Sequence, residues 1–202
     1  MRFSTATRRL RAAASGCASA RFAQAPRLTE LAQKDAAYRV RETALASLAQ
    51  TKASGVLDTL EAQVSVDSPD DVIRRAALRA IGRLGDDKAA PLLLTWATQG
   101  KGIRVREAAI ASLGMVDKKN KTIETQLIAY LDDPNFDIRS ATIFALGDRA
   151  DTAAIAPLEA MLSKSDLPTD FATVVRRQID RLKRITPANT PSPAVSSAEP
   201  TA

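Results

Sequence analysis

The chain has 202 residues, enough for one substantial domain, and is 45% hydrophobic but only 4% aromatic. Its core must therefore be aliphatic, which favours helices over a sandwich or barrel. There is no histidine, and the single cysteine, Cys17, has no partner within the chain, so His-based acid–base chemistry, His-ligated metals and an intrachain disulfide are all excluded. The net charge of +6 invites a nucleic-acid reading. However, residues 1–27 carry six arginines and no acid, which is the whole excess of 29 basic over 23 acidic residues.

The first element in chain order is that basic leader, 1–27. Its Arg/Ser/Ala composition resembles a targeting presequence, and Ala18-Ser19-Ala20 resembles an export cleavage site. No clean apolar run of roughly seven residues or more precedes that site, so a cytoplasmic location is expected over export. No run reaches the roughly 18 apolar residues of a membrane-spanning helix either.

From residue 28 the chain repeats. The segments "YRVRETALASLA" from 38, "DVIRRAALRAIG" from 71, "IRVREAAIASLG" from 103, "FDIRSATIFALG" from 136 and "TVVRRQIDRLKR" from 173 align on Arg41, Arg74, Arg106, Arg139 and Arg176. Their separations are 33, 32, 33 and 37 residues, the mark of a repeat architecture. Each unit reads as two helices. In the second unit Ile73, Ala77, Ala80, Ile81 and Leu84 share a helix face. Gly85 then suits a C-cap, and Asp86 or Asp87 can cap the next helix. Leu113-Gly114 with Asp117, and Leu146-Gly147 with Asp148 and Asp151, repeat that order. Pro91 and Pro157 should start or kink the first helices of their units. The expected fold is all-α, an α-solenoid of about five helix pairs over 28–185, because a lone pair cannot hide its apolar face. The Pro/Ser/Ala-rich stretch 186–202 is expected to be a disordered tail.

The V/I-R-x-A-A pattern closing on L-G-D resembles HEAT repeats, in the subclass first noted in phycobilin lyases, over roughly 38–184. That resemblance implies a fold and many unrelated functions. "PLLLTWATQGKGIRVREAAIASLG" and the segment after it also look similar to the HEAT-like C-terminal region of bacterial aminopeptidase-N-type zinc metallopeptidases. In that family a His-Glu-x-x-His site precedes the repeats. A chain without histidine inherits at most the accessory role, with no cofactor or metal.

The aligned arginines admit two readings, an anion-binding ladder or a structural ladder in which each guanidinium bonds a neighbouring Asp or helix-end carbonyls. Asp86, Asp117 and Asp151 follow Arg74, Arg106 and Arg139 by 11 or 12 residues, and the structural reading is preferred. Arg75, Arg79 and Arg83 form an i, i+4, i+8 stripe which, with Trp96, could face a partner; a solvated stripe and a packed tryptophan are the plainer alternatives. The leading expectation is a non-catalytic scaffold with a protein partner, free-standing or a detached peptidase accessory region. The alternatives are an accessory subunit of a lyase-type enzyme and a DNA-binding HEAT-like protein, the last disfavoured by the neutral array.

Overall fold

A computed structural model describes residues 24–98, 101–163 and 167–185. Most of the leader and the whole tail named above lie outside these residues. Every regular element among them is helical. The first helix, α1, covers 24–34 and so takes in four residues assigned above to the leader. It is followed by α2 (Tyr38–Thr51), α3 (Val56–Val64), α4 (Val72–Leu84), α5 (Ala90–Ala97), α6 (Ile103–Leu113), α7 (Lys121–Tyr130), α8 (Phe136–Arg149), α9 (Ile155–Leu162) and α10 (Thr169–Ile185).

The chain divides into two compact units at Arg149/Ala150. In the first, α3, α5 and α7 each pack on the helix that follows, and α2, α4, α6 and α8 stack on one another as a second row. This is the helix-pair layering of a solenoid. In the second unit α9 packs on α10, around Leu158, Met161, Phe171, Val175 and Ile179, and Lys183 Nζ meets Glu159 Oε1 at 2.7 Å.

The buried core is aliphatic. Leu45, Leu48, Leu60, Ile73, Leu78 and Ile81, then Leu93, Ile110, Leu113, Ile123, Leu127 and Ile138, are fully enclosed. Each such side chain contributes roughly 1.5–3 kcal/mol of transfer free energy. On α4 Ile73, Ala77, Ala80 and Ile81 are buried, while Leu84 is half-buried.

Small residues bring second-row helices into contact. The Ser112 hydroxyl of α6 donates to Leu78 O of α4 at 2.8 Å. A Cβ at Gly82 would lie 2.7 Å from Ser112 and from Met115 Cε, and one at Gly114 would lie 2.9 Å from the Ala145 backbone.

The turns follow the expected order with one correction. Gly85 caps α4 at φ 69°, in the left-handed region that favours glycine. Gly114 is right-handed at φ −63°, and Gly147 lies inside α8. Closeness to α8, not backbone conformation, calls for glycine at 114, and the left-handed residues of those turns are Asp117 and Ala150. Pro91 sits in the first turn of α5, where its missing amide costs no helix bond. Asn120 caps α7 through the Thr122 and Ile123 amides, and Asn135 caps α8 through those of Asp137 and Ile138.

Candidate interaction surface

Four of the aligned arginines, Arg41, Arg74, Arg106 and Arg139, stand in the first turns of the second-row helices, and three of them grip the helix before their own. Nε donates to the last turn of the preceding first-row helix: Arg41 to Ala32 O at 2.9 Å, Arg74 to Val64 O at 2.8 Å, Arg106 to Ala97 O at 3.1 Å. These carbonyls end their helices without an intrahelical donor, so each guanidinium satisfies an orphan acceptor at the negative end of a helix dipole. The forked end then reaches a side chain: Gln63 for Arg41, Asp71 for Arg74, and Asp133 at 2.6 Å for Arg106. Arg139 Nη1 instead donates to the carbonyls of Asp133 and Pro134, in the turn after α7. Arg176, on α10, is exposed.

Asp86 and Asp117, 12 and 11 residues past their arginines, are bonded elsewhere. Asp86 accepts from the Lys88 amide at 3.0 Å and caps a short 3-10 turn. Asp117 accepts from Asn120 Nδ2 at 2.7 Å, and its own amide donates to Asp87 Oδ1. Asp151 is buried in the turn before α9. The arginines lie at the start of their helices and these acids beyond the end, so a helix length separates them. The acids that do reach the arginines, Asp71 and the more distant Asp67 for Arg74 and Asp133 for Arg106, stand in the turns that lead into α4 and α8.

Arg106–Asp133 is the buried member of the set, with side chains 7% and 2% exposed. Burial works against the Asp133 charge. The hydrogen bonds from Arg106 and the Asn135 amide, with the charges of Arg106 and Arg139, outweigh it and hold the carboxyl below its ordinary range. Burial pushes the neighbouring Tyr130 phenol up against the opposing pull of Arg106, whose guanidinium lies 5.7 Å from the ring centre.

Trp96 is half-buried at the end of α5, with Arg74 5.0 Å and Lys101 4.6 Å from its ring centre. It belongs to the ladder, stacked on its cation, and does not join Arg75, Arg79 and Arg83. Those three stand one, five and nine residues past Arg74, and their counterparts in adjacent layers follow from the repeat register. One row reads Glu42, Arg75, Glu107, Ser140; the next Ala46, Arg79, Ala111, Phe144; the third Gln50, Arg83, Met115, Asp148. Contacts fix that register, since Arg79 Nη2 lies 3.8 Å from Glu107 and Met115 Cε lies over Gly82. The surface exposes Phe144 at 48% and Met115 at 38%. Arg75 Nε is buried without a hydrogen-bond partner.

Two features escape the sequence pattern. Arg149, only 3% exposed, donates to five carbonyls of the α6–α7 connection: Leu113, Val116, Asp117, Lys118 and Asn120. It lies outside the aligned position, and the partners are backbone atoms that a sequence does not mark. The exposure of Phe144 is the second, since its helix-mates Ile143, Ala145 and Leu146 are buried. Elsewhere a cavity of about 510 Å³ opens between the α2–α3 and α4–α5 turns, where Lys52 and Lys88 are matched by Asp58 and Asp86. Among the described residues no group of His, Cys, Asp or Glu is placed to hold a metal ion, and no helix is long and apolar enough to cross a membrane.

The HEAT-repeat family matches residues 25–114 and 103–175. No curated protein matches the chain. Among solved structures, the complex of CpcE and CpcF of phycocyanin lyase from Nostoc sp. PCC7120 is similar, with 20% identity and a TM-score of 0.61 over 80% of this chain and 98% of that one. At that identity the likeness is one of fold.

Proposed function

The chain belongs to the HEAT-repeat family, and from that premise we propose that it is a non-catalytic interaction module that binds a protein partner through the surface formed by α4, α6 and α8. One observation carries the reading. Phe144 and Met115 stand exposed in adjacent layers beside a three-arginine stripe, whereas the other exposed large hydrophobics of the first unit, Tyr38, Val40, Ile103 and Phe136, lie in the first turns of their helices. Exposed aromatic and methionine side chains beside arginine are enriched where proteins meet. Arg41, Arg74 and Arg106 of the ladder are occupied by helix-end carbonyls, whereas the stripe beside them keeps capacity for a partner. Affinity capture with the full-length protein from its host should return a specific, saturable protein partner. Capture that returns none at physiological salt would remove the proposal.

A second reading, an accessory subunit of a lyase-type enzyme, is favoured by the likeness to a phycocyanin lyase complex. It predicts that the purified protein supports chromophore transfer when supplied with a partner subunit. The narrower kinship with aminopeptidase-N-type peptidases draws no support from the comparisons above. A DNA-binding role is disfavoured because Glu42 and Glu107 flank the arginine stripe in the same row.

A further inference from the structure

We propose that residues 5–18 of this chain dock as a further second-row helix in an apolar groove on the first layer and close that end of the stack. The groove is a cavity of about 520 Å³ between α1 and α2, lined almost wholly by apolar atoms of Leu28, Leu31, Val40, Thr43, Ala44 and Ser47. The later layers show what such a face receives. The residue before the aligned arginine is Val40, Ile73, Val105 and Ile138 in α2, α4, α6 and α8. The last three are at most 2% exposed, but Val40 is 39% exposed. Six residues past the arginine, Ala80, Ser112 and Ala145 are buried and Ser47 is only half-buried. In the first row, Leu60 and Leu93 are enclosed four residues before the carbonyl that receives an arginine, whereas Leu28, at the same place in α1, is half-buried. The helices α4, α6 and α8 turn this face to the second-row helix before them. On α2, among the described residues, it is bare.

The residues just ahead of α1 fit the vacant place. Arg8 stands 33 residues before Arg41, the separation of Arg41 from Arg74. The same step carries α2, Tyr38–Thr51, onto residues 5–18. It leaves five residues to reach α1 at 24, within the four to seven that join α2 to α3, α4 to α5 and α6 to α7. Second-row helices cross on small side chains. A Cβ on Gly82 would lie 2.7 Å from Ser112, and one on Gly114 3.2 Å from Ala145 Cβ. Each glycine is eight residues past its aligned arginine, and each faces the residue six past the arginine of the next layer. Ala49 and Ala80 hold these two places on α2 and α4. Gly16 is eight residues past Arg8 and so falls opposite Ser47. Arg9 comes beside Glu42, just as Arg75 stands between Glu42 and Glu107. Ala12 and Ser15 replace the enclosed Leu45 and Leu48 of α2, a thinner layer of the kind that ends a repeat array. A tether of five residues holds the segment at an effective concentration of about millimolar, which sets it ahead of a second copy or a separate partner.

The native Cys17 can carry the probe. It is in register with Gln50, Arg83 and Met115, all exposed, so a nitroxide there leaves the packing alone. In the full-length protein the nitroxide should broaden the amide resonances of α2 from Thr43 to Thr51. Those of α8, four layer steps or about 32–40 Å away, should stay sharp. The broadening should persist on dilution, and it should be absent when labelled chains are mixed with isotope-enriched unlabelled ones. Gly16→Leu puts a bulky side chain at the crossing. It should abolish the broadening and raise deuterium exchange in α2 at least about tenfold while α6 is unchanged. Gly16→Ala, which copies Ala49, should leave both readouts native. Deletion of residues 1–18 should reproduce the exchange pattern of Gly16→Leu. The proposal is overturned if the label leaves α2 sharp or if Gly16→Leu behaves as the native chain does. Broadening between molecules would make a second copy the occupant and overturn it too. So would protein isolated from the host without residues 1–18, because the groove would then belong to another partner.

Discussion

Five arginines share one repeat position but not one environment. Arg106 is enclosed, bonded to Ala97 O and paired with Asp133, whereas Arg176 is exposed. Removing one partner of a buried pair leaves the other charged and unpaired, which costs about 3–5 kcal/mol. Arg106→Ala should therefore lose about 3 kcal/mol or more in urea denaturation, and Arg176→Ala should stay within about 0.5 kcal/mol. Equal losses would mean that repeat position, and not burial, sets the energetics. The same pair carries an acid dependence. The folded Asp133 carboxyl lies below its unfolded value of about 3.9, so it binds its proton less readily when folded. Its stabilisation is complete above about pH 4–5 and falls away as pH drops through the folded pKa. The thermal midpoint should decline on acidification below about pH 4, and Asp133→Asn should flatten that decline. Parallel acid slopes for the two proteins would assign the dependence to other carboxylates.

At the scale of the helix the sequence carried its spacing and hydrophobic face into structure. The arginine register, the helix pairs and the Gly85 cap were legible because they depend on local periodicity and on one residue's conformational freedom. Which glycine does what was not legible. Gly85 and Gly114 each follow a Leu, but Gly85 stands in register with the left-handed Asp117 and Ala150, whereas Gly114 stands in register with Gly82 and is squeezed against Ala145. Distance to a neighbouring helix does not appear in a one-dimensional pattern. At Gly114 an added methyl would lie 2.9 Å from Ala145 Cα and 3.1 Å from Ala111 O, backbone that must shift to admit it. Overpacking of this kind costs about 1–3 kcal/mol, more than the roughly 1 kcal/mol by which alanine is the better helix former. Gly114→Ala should thus lower the denaturation midpoint although it raises helix propensity. A rise would show that α6 and α8 can move apart freely.

The whole molecule was predicted as a single array over 28–185, and its all-helical layering was readable from repetition alone. The candidate surface was only half readable. The i, i+4, i+8 stripe on α4 is a sequence feature, but that Phe144 escapes burial while Ile143 and Leu146 do not depends on how the layers stack. The compact units at Arg149/Ala150 lead to the last prediction. Within the first, α4 and α6 each pack on a second-row neighbour on both sides as well as on a first-row helix, so opening either one exposes apolar surface on several faces. The described part of the second holds α9 and α10 packed on one another, with a core of a few side chains such as Leu158, Val175 and Leu182. In a solenoid, stability is a sum of intrinsic repeat terms and nearest-neighbour interfaces, and local opening follows the least-buried elements. Amides of α9 and α10 should therefore exchange with deuterium at least about tenfold faster than those of α4 and α6, a gap of about 1.4 kcal/mol in opening free energy. Low concentrations of urea should bring α9 and α10 to full exchange while α4 and α6 stay protected. If all four helices exchange at one rate under every condition, the two compact units unfold as one cooperative body, and the repeat-by-repeat account of this chain's stability must be given up.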